Sequence, residues 1–127
     1  MYLSDYFLNW LAARVAGQAI TVSLHTGAPG DSGTANRATG NNGQPGVTVT
    51  IPANAISADG ARVDNDSVVN VFTPNGTSAG QSISHLGYWF GGSFVGWAQA
   101  TAARTTVSGE AFPIDAAAVA FTFALRS

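Results

Sequence analysis

The sequence predicts a mainly β fold, an antiparallel β-sandwich or jelly-roll-like barrel led by one N-terminal α-helix. Three observations carry this. Residues 82–98 are two aromatic-rich runs joined by Gly91-Gly92, a short-range hairpin signal, because such turns need a positive φ that glycine takes without strain. Short stretches of period-two alternation recur along the chain, separated by clusters of Gly, Pro and Asn. Only residues 5–16 repeat apolar side chains at helical spacing.

In that helix Phe7, Leu11 and Val15 recur every four residues, and Leu8 and Trp10 widen the stripe. Ser4 is placed to cap its start and Gly17 to stop it. Leu3, just before the cap, is spaced to staple onto Leu8. The stripe is expected to pack on a sheet, with docking on a neighbouring subunit as the sharper alternative. Residues 19–25 form a strand with Ile20, Val22 and Leu24 on one face and Thr21, Ser23 and His25 on the other. Residues 26–45 are a long loop punctuated by seven Gly and Pro residues; loops of this length are functional or mobile. It is the expected contact arm, and deleting residues 31–44 should leave a folded domain. Strands follow at 47–51, 61–63 and 68–72, the last ending in the turn sequence Pro74-Asn75-Gly76. Residues 82–90 and 93–99 make the Gly-Gly hairpin, 105–107 an edge strand, and 117–125 a closing strand with Val119, Phe121, Phe123 and Leu125 on one face. No repeat or boundary interrupts residues 1–127, so a single domain is expected.

The chain has 127 residues, 46% of them apolar and only 9% charged, against about 25% charged in an ordinary domain. Its five cations are all arginine: Arg14, Arg37, Arg62, Arg104 and Arg126. A surface so poor in charge is either that of a small neutral domain or one packed against other subunits. The net charge of −2 offers no basic field for nucleic acid. With no cysteine there is no disulfide framework, thiolate zinc site or cysteine nucleophile. No basic, apolar leader opens the chain, and no stretch reaches the roughly 18 apolar residues of a membrane span. The protein is therefore expected to be made in the cytoplasm and to have no membrane partner.

No motif carries catalysis. His25 and His85 lack a third metal ligand by spacing, and each is expected to bond a loop or backbone group. Gly-x-Ser-x-Gly and His-Glu-x-x-His are absent. Asp59, Asp64 and Asp66 cluster, but the twelfth position counted from Asp59 or Asp64 is Asn70 or Asn75, not the glutamate a calcium loop uses. They read as turn chemistry. Asn65-Asp66-Ser67 and Asn75-Gly76-Thr77 match the glycosylation pattern by chance. Trp89 and Trp97 lie on adjoining strands and read first as core or interface residues. No cofactor, metal or catalytic residue is expected, and no enzyme.

The order of features resembles a known family. A short helix leads to Val22-Ser23-Leu24-His25-Thr26-Gly27-Ala28-Pro29-Gly30; a Gly/Asn-rich loop follows. Asn70-Val71-Phe72-Thr73-Pro74, then Ile83-Ser84-His85-Leu86-Gly87-Tyr88-Trp89, precede a turn at residues 109–112 and a closing Ala/Phe strand. This resembles small structural proteins of tailed bacteriophages, common in phages of actinobacteria and variously labelled tail-fibre, minor-capsid or decoration proteins. The resemblance implies a non-enzymatic virion protein. The first expectation is a minor capsid (decoration) protein on the capsid exterior, bound to the major capsid protein as a homo-oligomer, with a trimer favoured. Leu3, Phe7, Trp10, Asp31, Asn36, Arg37, Asn41 and Asn42 are its candidate interface residues. The alternative is a tail-associated receptor- or carbohydrate-binding module, in which exposed Tyr88, Trp89 or Trp97 would form a stacking platform.

Overall fold

In the computed structural model, which describes residues 4–115 and 118–122, the chain is mainly β with antiparallel pairing and one α-helix at its start. The helix is α1 (Asp5–Ala16). The strands are β1 (Ile20–His25), β2 (Thr48–Ile51), β3 (Ile56–Asp59), β4 (Arg62–Asn65), β5 (Val69–Phe72), β6 (Ser82–Phe90), β7 (Ser93–Thr105), β8 (Phe112–Ile114) and β9 (Ala120–Thr122). They form three open sheets, in the orders β2-β1-β6-β7, β3-β4-β9 and β5-β8, and no closed barrel. The chain divides into two compact units.

One unit is built from the segments up to Ala19, Ile51–Val69 and Ile114 onward. The cap and stop of α1 fall where the sequence puts them. Ser4 Oγ accepts from the Phe7 N–H at 3.2 Å, and the Gly17 N–H returns to the carbonyls of the last turn. Gly17 does this at φ −81, so it needs no left-handed conformation. The helix packs on β3 and β4. Its buried side chains are Leu8 and Ala12, with Leu11 and Val15 half-buried beside them. Phe7 and Trp10 were expected in the stripe but turn outward, because one helical face cannot carry both sets. They remain 40% and 42% exposed, beside Tyr6 at 78%. The β3–β4 hairpin turns at Gly60, φ 61, and puts the aspartate cluster on its arms. Asp64 meets Arg62 at 3.3 Å and Asp66 accepts from Ser57 Oγ, which is the turn chemistry expected. Asn65, 2% exposed, closes this unit. Its Nδ2 donates to the carbonyls of Ser67 and Asp115, and its Oδ1 accepts from the Val119 N–H at 2.9 Å. A side chain so committed has no amide free for a glycan.

The other unit contains Ile20–Thr50 and Asn70–Pro113. Its core gathers Leu24, Ala38, Val47, Ile83 and Phe112, with Val71, Phe72 and Leu86 packed against them. The Gly-Gly hairpin forms as read: Phe90 pairs with Ser93, and Gly91 takes φ 59. Its second arm departs from expectation. It runs unbroken to Thr105, where two strands at 93–99 and 105–107 were expected. Pairing of Ser82 with Thr105 and Ile83 with Arg104, across a register shift, carries it through the weak Ala100–Ala103 stretch. β3 and β8 were not foreseen; each has only three or four residues, and β8 contains Pro113. Of the expected 117–125 strand, β9 forms Ala120–Thr122; Ala118 and Val119 precede it outside any strand, and residues 117 and 123–125 lie outside those described.

The long loop, as read, carries no helix or strand, and it is held to the fold by hydrogen bonds. Residues 26–45 lie back on β1. Ala38 donates to the Leu24 carbonyl at 3.0 Å and Thr26 to the Asn36 carbonyl at 2.9 Å. Ala38 itself is fully buried in the core. Gln81 clamps Thr39 from both sides: its Oε1 accepts the Thr39 N–H at 2.6 Å and its Nε2 donates to the Thr39 carbonyl at 2.8 Å. The loop is part of the fold, so deleting residues 31–44 is now expected to abolish the cooperative unfolding transition rather than leave a folded domain, as differential scanning calorimetry would read. Asn65→Ala strands the buried Val119 N–H and should lower stability by about 1–3 kcal/mol in urea denaturation.

Candidate functional site

One face of the β2-β1-β6-β7 sheet concentrates the polar and aromatic side chains. Thr21 pairs with Trp89, Ser23 with Gly87 and His25 with His85, so all six positions share that face. Ser23 and His25, two residues apart on β1, are bonded to each other: Ser23 Oγ lies 2.7 Å from His25 Nε2. His25 Nδ1 lies 2.8 Å from the Ala35 carbonyl, which can only accept, so Nδ1 carries the proton and Nε2 is the acceptor. The Trp89 indole N–H donates to Ser23 Oγ at 2.9 Å. A directed chain results: Trp89 donates to Ser23, Ser23 to His25, and His25 to the loop carbonyl.

This spacing resembles that of a nucleophile and its base. The surroundings point elsewhere. Ser23 is 2% exposed and His25 fully buried, and the Ser23 oxygen is already an acceptor for Trp89. The chain pins the loop to the sheet. Its space comes from Gly87: a Cβ there would lie 2.5 Å from Ser23 Oγ and 2.9 Å from His25 Nε2. Gly33, at the loop's tip, sits so close to Phe94 that a side chain would overlap its ring. His85 bonds Ser84 Oγ at 2.7 Å and leans on Trp97 at 5.3 Å, rather than reaching a loop or backbone group. Among the described residues, no three His, Cys, Asp or Glu side chains converge to hold a metal.

Beside this chain lies a shallow depression of about 200 Å³, lined by Thr21, Ser23, Arg37, Thr48, Trp89 and the Gly91-Gly92 turn. The Arg37 guanidinium lies over the Trp89 ring at 5.7 Å from its centroid, a cation–π distance. Arg37 Nε is buried and has no hydrogen-bond partner.

The expected interface residues fall on α1 in one unit and on the long loop in the other. Phe7 and Trp10 stack at 5.6 Å on the exposed side of α1, with Arg14 over the Trp10 ring at 4.9 Å. Leu3 lies outside the described residues. Asn36, at φ 55, and Asn42 hold the loop's own turns through the Ala28 carbonyl and the Gln44 N–H. Asn41 is spent on Thr73, Asn75 and Ser78. Asp31 is exposed, and Arg37 alone reaches the depression. Of the proposed platform, Tyr88 is 4% exposed and burial pushes its phenol up to about 12, whereas Trp97 is 46% exposed and Trp89 half-buried. Both tryptophans read from the sequence as core or interface residues; β7 is a sheet edge and leaves Trp97 open, so it is not a core residue. Gln81 and Asn65 escaped the sequence reading because each grips backbone groups far along the chain, at Thr39 and at Asp115 and Val119, and Ser78 because it bonds the distant Asn41 side chain. Ser23 and His25 were legible as one strand face, and their partners Gly87, Trp89 and Ala35 were not.

Residues 1–122 match the family model of the podophage GP4 fiber I protein gp80. The chain belongs to this family. No curated protein matches it. A gp80-family chain is a structural component of a tailed-phage virion. Of the labels that the resemblance carried, the match supports the fibre one; it supports neither the capsid-decoration label nor an actinobacterial source. No described helix of this gp80-family chain is long and apolar enough to cross a membrane.

Burial holds the His25 imidazole below its ordinary value of 6.5; Arg37 and His85 push the same way, against the bond to Ala35. The unfolded chain therefore takes up this proton more readily than the folded one. Stability from this group is complete above pH 6.5 and is lost as pH falls from there through the lower folded value. Thermal denaturation scanned from pH 7.5 down to 5 should show the midpoint falling, and nitrogen NMR should show His25 more than half neutral at pH 6.5.

Proposed function

We propose that this chain is a non-enzymatic component of the tail fibre that contacts the host surface, rather than a decoration of the capsid. The observation that carries the reading is the fibre-family match over residues 1–122 of 127. Two features support it. The loop expected to act as a capsid-binding arm is bonded to its own fold through Thr39 and Gln81 rather than hanging free. The sheet face instead offers Trp97 and a depression walled by Trp89 and Arg37, the kind of polar and aromatic surface a receptor contact uses.

Assembly then falls to the opposite kind of surface. Tyr6, Phe7 and Trp10 form an exposed aromatic side of α1, and we assign them to contacts with neighbouring copies in the fibre, with a trimer the expected state. Immunogold labelling of intact virions should mark the tail and leave the head clear; labelling spread over the head would overturn the reading. Trp10→Ser, on a surface side chain, should leave the monomer folded and shift light-scattering mass from oligomer to monomer.

A further inference from the structure

We propose that the depression between the Gly91-Gly92 turn and strands β1 and β2 binds a sugar ring bearing a carboxylate, as in an acidic surface polysaccharide. The assignment rests on the host-contact reading above and names the ligand class of that surface. Arg37 is the key residue. Its Nε is buried, lacks a hydrogen-bond partner and belongs to a group that lines the depression. The two terminal amino groups of the same guanidinium also have no hydrogen-bond partner among the described residues and are not closed off, and a carboxylate in the depression would take them in a charge-assisted, two-pronged bond. Among the described residues, no carboxylate of the chain pairs with Arg37; the ion pair present is Arg62–Asp64. The anion must come from elsewhere.

The remaining walls select a sugar over a bare anion. Trp89, in contact with Arg37 and Phe94, supplies an aromatic wall for the apolar edge of a pyranose, and Thr21 and Thr48 line the same depression. Gly91 and Gly92 keep one rim bare: a Cβ at either would meet nothing within 4 Å. The volume of about 200 Å³ is below the roughly 300–1,000 Å³ of pockets for drug-sized ligands, which suits one ring of a longer chain. A nucleic acid fits poorly, since the chain's net charge of −2 provides no extended basic surface for a run of phosphates.

The test is titration of the isotope-labelled full chain with trigalacturonic acid, followed by NMR. Maltotriose serves as the neutral control, acetate as the bare carboxylate and a thymidine decanucleotide as the polyanion. Trigalacturonic acid should shift the Trp89 indole and Arg37 Nε signals saturably, and Arg37→Gln should weaken binding by about tenfold or more. Absence of those shifts, or equal binding by maltotriose, acetate or the decanucleotide, overturns the assignment. If Arg37→Gln fails to fold by circular dichroism, Gly92→Leu replaces it. That variant fills the rim in open space and leaves Arg37 in place. It should lose binding, and retained binding overturns the proposal. A chain that labels host cells yet ignores trigalacturonic acid would sink this assignment alone; head labelling of virions would sink the fibre reading instead.

Discussion

The close approach of β1 to β6 at Gly87 is the constraint on which the sheet's working face depends. Opposite Ser23 in register, Gly87 has no side chain, and the vacated space is taken by Ser23 Oγ and His25 Nε2. A methyl group there would push against two buried side chains that are each bonded onward, to Trp89 and to Ala35. Displacing them would break one tie of the loop, at Ala35, on one side and the bond that holds the Trp89 ring on the other. Loop anchoring and the wall of the depression therefore share one cause, a hydrogen atom where any other residue has carbon.

The same economy appears elsewhere. Where most domains of this size place charges, this one places uncharged hydrogen-bonding groups. Gln81 grips Thr39 by both backbone groups, Thr106 ties Gln81 to Ser78, and Asn41 fastens residues 73–78 to the loop. Each is a neutral bond whose net worth is about 0.5–1.5 kcal/mol, and they act together because they share partners. The low charge content read from composition thus describes how the loop is held as well as what the surface lacks.

Much of the architecture was legible because it follows from local rules. Period-two alternation, the Gly91-Gly92 turn and the Ser4 cap each depend on neighbours a few residues away. What escaped depends on distant partners. The loop at 26–45 has no periodicity, and Asn36, Asn41 and Asn42 look like solvent-facing residues until their acceptors are seen. Phe7 and Trp10 sit on an apolar helix, yet Leu8 and Ala12 win the buried side, a choice that only the packing partner decides. At the depression, Arg37 and Trp89 lie 52 positions apart in sequence, and no spacing rule brings them together.

Construction from neutral bonds separates two responses to ionic strength. The ion pair among the described residues, Arg62–Asp64, is exposed, so dissolved salt has little to screen in the fold itself. Arg37 is different: its Nε is held out of water beside an aromatic ring, and its field is local. A virion component built this way keeps its shape across media of very different salinity. Whatever salt dependence it shows is confined to what it touches.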